Sequence, residues 1–265
     1  MEDRVRIEIA DGIADVRLNR PDKLNAMDKA MFAALGDAGK ALAEDRSVRA
    51  VVLSGEGRGF CSGLDLASLM ADLSKAQELL APTPDSPANF VQRAAWIWRE
   101  LPVPVIAAVH GVAYGGGLQV AMGADIRVVA PDARLCLSEV HWGLVPDIGI
   151  TQSMRDVLPL DLARELSYTG REVAGEEAVA LRLATHVDPD PRGRAMAIAG
   201  EIAHRCPDAV RAAKRLWNEA PLAATDEGLE LEGRLQARLI GSPNQQEAVM
   251  ARMAKRAPKF NDPVD

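Results

Sequence analysis

Two glycine-bearing turns, far apart in the chain, each follow an apolar run, and together they limit the fold more than any other feature. Val51-Val52-Leu53 leads into Gly59-Phe60-Cys61-Ser62-Gly63-Leu64-Asp65. Val105-Ile106-Ala107-Ala108-Val109 leads into Gly111-Val112-Ala113-Tyr114-Gly115-Gly116-Gly117-Leu118-Gln119. A short apolar run that stops at glycine reads as a buried strand with a tight exit. Glycine lets a backbone approach a ligand with no Cβ in the way. Free N–H groups at a helix start point outward, where the helix dipole favours negative charge. Two such turns, brought together, make a two-donor oxyanion hole.

Around these turns the first half of the chain alternates strand and helix. Segments 5–9 and 13–18 alternate apolar and polar residues about Ala10-Asp11-Gly12, the pattern of a hairpin. Asp28 is placed to cap a helix whose apolar positions Met31, Phe32, Leu35 and Leu42 recur at helical spacing. A helix is expected over 66–80, a proline-broken segment over 81–87, and a helix over 90–101 that Pro102 and Pro104 end. Strands follow at 125–130 and 134–137, with a helix at 116–123 between them and the 105–109 run. Beyond 150 the spacing predicts helices at 150–157, 161–168, 175–183, 191–205, 208–219, 226–240 and 243–256. The sum is an α/β core over 1–195 and a C-terminal helical region over 196–265.

The 265 residues suffice for a sizeable core. A net charge of -7 argues against nucleic acid or an anionic membrane as partner. No apolar run reaches the roughly 18 residues of a membrane span. The start, Met1-Glu2-Asp3-Arg4, lacks a basic-then-apolar signal pattern, so a cytoplasmic location is expected. Cys61, Cys136 and Cys206 are odd in number and widely spaced, which suits reduced thiols. His110, His141, His186 and His204 form no ligand pattern, so no metal is expected.

Several of these segments resemble the crotonase superfamily, the enoyl-CoA hydratase/isomerase family. The resemblance rests on Leu18-Asn19-Arg20-Pro21-Asp22-Lys23-Leu24-Asn25-Ala26-Met27 and on Gly57-Arg58-Gly59-Phe60-Cys61-Ser62-Gly63-Leu64-Asp65-Leu66. It continues through Ala107-Ala108-Val109-His110-Gly111, Gly115-Gly116-Gly117 and Ala124-Asp125-Ile126-Arg127, and ends at Ser138-Glu139-Val140-His141-Trp142-Gly143-Leu144-Val145-Pro146. It implies a spiral of ββα units, a C-terminal helical region used in trimerisation, and a homotrimer or dimer of trimers. It also implies an acyl-CoA substrate, with coenzyme A part of that substrate and no separate cofactor. By motif position the oxyanion hole is the N–H groups of Leu64 and Gly116.

The resemblance is incomplete at the acids. Family hydratases place two glutamates about a water. Here the second matches Glu139, while the first position holds Gln119. A carboxamide cannot exchange a proton near neutral pH. This favours isomerisation or an atypical hydration, with Glu139 as the acid/base. Asp147 lies eight residues on, where dienoyl-CoA isomerases of the family carry an acid; it reads either as a second acid/base group or as a helix N-cap. A non-catalytic acyl-CoA binder, thioester hydrolysis, C–C cleavage and dehalogenation are the alternatives. Asp65 reads as a structural cap, and Cys61 as a small buried apolar residue. Trp142 and Tyr114 line either the acyl pocket or the core. For the CoA, the resemblance and the local charge point to Arg20, Lys23, the Ala26 backbone and Arg58, and to Lys259 and Phe260 of a tail that reaches a neighbour's ligand.

Overall fold

The computed structural model describes residues 3–70, 79–81, 86–155 and 157–263. Its strands are β1 (Val5–Ala10), β2 (Ile13–Leu18), β3 (Ala50–Gly55), β4 (Val105–Val109), β5 (Val112–Tyr114), β6 (Ile126–Val129), β7 (Arg134–Cys136), β8 (Val173–Ala174) and β9 (His186–Val187). The larger sheet has the order β1–β2–β3–β4–β6–β9, and the smaller the order β5–β7–β8. β1 and β2 form the antiparallel hairpin expected from their alternation, with Val5 opposite Leu18 and Ala10 opposite Ile13. From β2 onward the larger sheet is parallel.

Parallel strands need crossovers, and helices provide them. α1 (Lys29–Glu44) links β2 to β3, and α2 (Leu66–Met70) and α3 (Phe90–Glu100) lie between β3 and β4. α4 (Gly116–Met122), α5 (Ile150–Met154), α6 (Leu160–Thr169) and α7 (Gly175–Ala180) follow along the chain. α8 (Pro191–Ala203), α9 (Pro207–Glu219), α10 (Thr225–Leu239) and α11 (Pro243–Met253) make up the later helical part. The Asp28 carboxylate accepts the Met31 N–H at 2.8 Å, so the cap read from the sequence is made. Asn89 and Gln92 close a capping box on α3.

Both faces of the parallel sheet are covered, which is why its strands are almost wholly apolar. Val51 and Leu53 of β3 join Val105, Ala107 and Val109 of β4 in a core against Met31 and Leu35 of α1, Trp98 of α3 and Leu118 of α4. Ala50, Val52, Ile106, Ala108 and Val128 point the other way, onto Ala195 and Ala199 of α8. Residue 195, the end of the core in the sequence reading, lies within α8, and that helix packs on the sheet. α9 is tied to the core by one buried cation. The Lys214 ammonium donates to the carbonyls of Trp98 at 3.0 Å and Val103 at 2.8 Å, and pairs with Asp125 at 2.9 Å. Burial pushes its pKa below the usual lysine value, against the pull of Asp125.

Most strand and helix expectations match within a few residues. The expected helix over 66–80 is seen as α2; 71–78 lie outside the described residues, as do 82–85 of the proline-broken segment. β5, β8 and β9 are too short to show a period, and the sequence reading gave none of them.

Candidate active site

The first turn is set by a loop that precedes it by some forty residues. Leu24 and Asn25 hold left-handed backbone, at φ 49° and 56°. This turns the Asn25 carboxamide inward, where Nδ2 donates to the carbonyls of Glu56, Gly59 and Phe60 at 2.9, 2.9 and 3.1 Å. Its Oδ1 accepts the Arg20 N–H at 2.8 Å. Two residues on, Met27 pairs with the turn like a strand. Its N–H donates to Gly63 O at 2.8 Å, and its carbonyl accepts the Asp65 N–H at 3.0 Å. In such a ladder, bonds to the residues flanking Leu64 direct the Leu64 N–H to the opposite side.

The second turn lies against the first. Cys61 donates its N–H to Val112 O and accepts the Tyr114 N–H, each at 3.0 Å. A Cβ on Gly63, whose φ is +90°, would stand 2.6 Å from Tyr114 O and 3.6 Å from the Gly116 nitrogen. Glycine is therefore required there by conformation and by space. Among the described residues, no hydrogen bond uses the N–H of Leu64 or of Gly116. Two neighbouring turns thus each present an unspent backbone donor.

Beside them sits a three-member chain. Gln119 and Glu139 are both buried. Gln119 Oε1 accepts the Ile148 N–H at 2.7 Å. A backbone N–H can only donate, so this bond fixes which way the carboxamide faces. Its Nε2 must then point at Glu139, to whose Oε1 it donates at 2.6 Å. Glu139 Oε2 is buried with no hydrogen-bond partner among the described residues. The Glu139 carboxyl also stands against the glycine run, since a Cβ on Gly115 would meet its Oε1 at 2.9 Å. Burial raises the Glu139 pKa and the charge of Asp147 adds to it, while the Gln119 hydrogen bond opposes both. Asp147 is half-buried, and burial raises its pKa too.

Asp147 is not the helix cap that one reading gave it. α5 starts from Gly149 in left-handed conformation, with no side-chain cap. Asp65 is a cap, accepting the Ser68 N–H at 3.1 Å. Cys61 is fully buried, and desolvation pushes its thiol up to about 12, which disfavours the thiolate and fits the small buried residue read from the sequence. Trp142 is 62% exposed, which rules out the core for it. Tyr114 turns its hydroxyl to Glu172 at 2.5 Å. The backbone donor at Ile148 has no counterpart in the sequence, because every residue but proline carries one.

Of the residues considered for the CoA, Lys23 and Arg58 are exposed, on turns brought together where a Cβ on Gly57 would meet Pro21 Cβ at 2.7 Å. Neither makes an ion pair with another described residue. The Ala26 carbonyl is close by, accepting Arg20 Nη1 at 3.0 Å. The Arg20 head is engaged with Asp65 at 2.8 Å and Asp28 at 3.6 Å. Lys259 and Phe260 lie far from these groups. The Lys259 N–H donates to Glu247, and Asn261 is held by Asn244 and Arg49, at the start of β3. The two turns are at the other end of that strand, beyond Gly55.

The family model described as enoyl-CoA hydratase/isomerase matches residues 8–263. The chain belongs to this family. It is 36% identical over 259 residues to the bovine (Bos taurus) enoyl-CoA hydratase domain-containing protein 2, mitochondrial, covering 94% of this chain and 84% of that one. It is 32% identical over 265 residues to the Delta(3,5)-Delta(2,4)-dienoyl-CoA isomerase, mitochondrial, of Rattus norvegicus, covering 93% and 78%. Among solved structures, the enoyl-CoA hydratase from Polaromonas sp. JS666 superposes with a TM-score of 0.88 at 30% identity, over 97% of this chain and 99% of that one. The one from Bacillus anthracis gives 0.89 at 28%, over 98% and 100%. The α/β crotonase fold with its helical C-terminal region is thereby established, and this hydratase/isomerase-family chain is an enzyme of that kind. Among the described residues of this family member, no helix is long and apolar enough to cross a membrane.

Proposed function

We propose that this enzyme moves protons along unsaturated acyl-CoA thioesters, shifting a double bond instead of adding water to it. One observation carries the reading. Both ends of the Gln119 carboxamide are taken, by the Ile148 N–H and by Glu139 Oε1, and one buried oxygen, Glu139 Oε2, is left to exchange a proton. Hydration by two carboxylates has only one of its acids at this place.

In this reading the N–H groups of Leu64 and Gly116 hold the thioester oxygen. Glu139 takes a proton from C2, the C–H electron pair forms the enolate, and its charge moves onto that oxygen between the two amides. Such donors, fixed in place and shielded from water, favour the charge that develops in the transition state. When the carbonyl re-forms, a carbon farther along the conjugated chain takes a proton and the double bond has moved. A raised carboxyl pKa suits Glu139 to both steps, since it lies closer to the working pH. Asp147 offers a second proton site on another wall of the pocket, which fits a longer, dienoyl substrate; the name of the rat relative supports that class.

Lys23 and Arg58, both exposed and without ion-pair partners among the described residues, serve the CoA phosphates, with the Ala26 backbone toward the pantetheine and adenine. Lys259 and Phe260 act on a neighbouring subunit's CoA, in a homotrimer or dimer of trimers. We place the enzyme in the cytoplasm on its three free cysteines; cell fractionation tests this, since the bovine relative is named as mitochondrial.

The test is ultraviolet absorbance with three substrates. A trans-3-enoyl-CoA or a 3,5-dienoyl-CoA gains conjugation with the thioester when isomerised, while crotonyl-CoA loses it when hydrated. We expect a gain with at least one of the first two and little loss with the third. Turnover of crotonyl-CoA alone overturns the proposal.

A further inference from the structure

We propose that Arg20 is a positioning residue, which holds the Leu64 N–H in place through Asp65, and that it is not a phosphate ligand. The inference rests on the two-amide site described under Proposed function. It reassigns a residue whose place in the sequence suggested the CoA.

Arg20 Nη1 is already engaged. Arg20 Nη1 lies 2.8 Å from Asp65 Oδ2, 3.0 Å from Ala26 O and 3.6 Å from Asp28 Oδ2. Its side chain is 13% exposed, like that of Asp65. A phosphate taking that nitrogen would have to draw it away from two carboxylates, in a setting where an ion pair is screened little. Lys23 and Arg58 are exposed nearby and have no such partners to lose.

Asp65 directly follows Leu64. Its carboxylate is gripped on both sides, by Arg20 at Oδ2 and by the Ser68 N–H at Oδ1. Its backbone N–H is bonded to Met27 O, and the carbonyl before Leu64 accepts the Met27 N–H. Leu64 is thus flanked on both sides by backbone bonds to Met27, and the Asp65 side chain adds a further hold at its rear. Arg20 joins the two strands of that small ladder, because the same Nη1 that meets Asp65 also meets the Ala26 carbonyl, one residue before Met27. Arg20 is itself held at its N–H by Asn25. The chain of contact therefore runs from the Asn25 loop through Arg20 and Asp65 to a single amide. Donor placement matters strongly: a shift of about 1 Å away from chemistry costs roughly a hundredfold in rate.

The two roles predict opposite kinetics. A phosphate ligand contributes uniform binding, so its loss raises KM. A positioning residue for an oxyanion donor lowers kcat and leaves KM in place. Arg20→Lys and Asp65→Asn are to be compared with wild type on the same acyl group carried by CoA, by 3′-dephospho-CoA and by pantetheine. We expect kcat to fall by about tenfold to a hundredfold in both variants, equally on all three carriers, with KM within about twofold. The Arg20→Lys/Asp65→Asn double variant should lose no more than the worse single one. A rise in KM on CoA that disappears on pantetheine, with kcat kept, overturns the proposal.

A spectroscopic arm separates this inference from the reading beneath it. The carbonyl of a 1-13C acyl-CoA bound between two amide donors moves downfield in the NMR spectrum. We expect that shift in wild type and its reduction in Arg20→Lys at unchanged Kd. An equal shift in both proteins sinks the role of Arg20 alone. No shift in wild type sinks the two-amide site and the role of Arg20 with it. Should Arg20→Lys fold poorly, Asp65→Asn, which keeps the cation, gives the same comparison.

Discussion

Replacing Gln119 by glutamate tests the centre of the site, because it changes one atom's chemistry and little shape. Gln119 Nε2 donates to Glu139 Oε1 at 2.6 Å. A glutamate in that rotamer keeps an acceptor for the Ile148 N–H and puts an oxygen where the donor was. Two buried carboxylates would then face each other. Unit charges about 4 Å apart repel by about 4 kcal/mol at an effective dielectric of 20, which corresponds to about three pH units. The folded pair therefore keeps one shared proton well above the ordinary carboxylate range. A pKa raised in the folded state stabilises below the unfolded value, about 4.3 for glutamate, and that stabilisation is lost as pH rises through the folded value. Gln119→Glu should melt beside wild type near pH 4 and fall behind as pH rises to 9, by up to about 4 kcal/mol. The assay is thermal unfolding at steps across that range. A melting difference that stays constant with pH refutes the reasoning. The same variant restores a second acid and should raise crotonyl-CoA hydration; an unchanged rate would show that residue 119 is not beside the reacting carbon.

Other outcomes follow from the same geometry. Glu139→Gln should lower turnover by about a hundredfold to ten-thousandfold while circular dichroism stays native; retained turnover removes Glu139 as the base. Because burial and Asp147 raise the Glu139 pKa, the acid limb of kcat/KM should sit above the usual carboxylate range and move down in Asp147→Asn, read from a pH–rate profile. Gly63→Ala meets both a positive φ and the Tyr114 carbonyl, so chemical denaturation should show a loss of about 2–4 kcal/mol. Lys214→Ala leaves two buried carbonyls without a donor, while Asp125 keeps the Val105 N–H, costing about 2–4 kcal/mol in the same assay.

The parts of the fold that could be read from the chain are those that carry their own signal. Residues 13–18 and 105–109 appear at the bounds expected, since alternation or an unbroken apolar run marks each end. Val112–Tyr114 was absorbed into a glycine turn, because three residues cannot display a period of two, and its pairing with Arg134–Cys136 is a long-range event. The site divides in the same manner. Glycine at 63 and 115–117, glutamine at 119 and glutamate at 139 were visible as residue types at telling positions. What they touch was not. The acceptor that fixes Gln119 is met by a backbone N–H 29 residues later. The head of Arg20 looked available for phosphate until Asp65 was seen to hold it. Asp147 looked like a cap because a helix starts just after it, yet a left-handed glycine makes that start instead.

The Asn25 amide, bonded to three carbonyls across the turn, bears on how a ligand arrives. A loop so tethered has no open form to close from. On this side the thioester meets a wall that was assembled when the protein folded, and this loop has little chain entropy left to lose on contact. Stopped-flow traces should then carry no unimolecular phase from this loop, and Asn25→Ala, which cuts the tether, should introduce one.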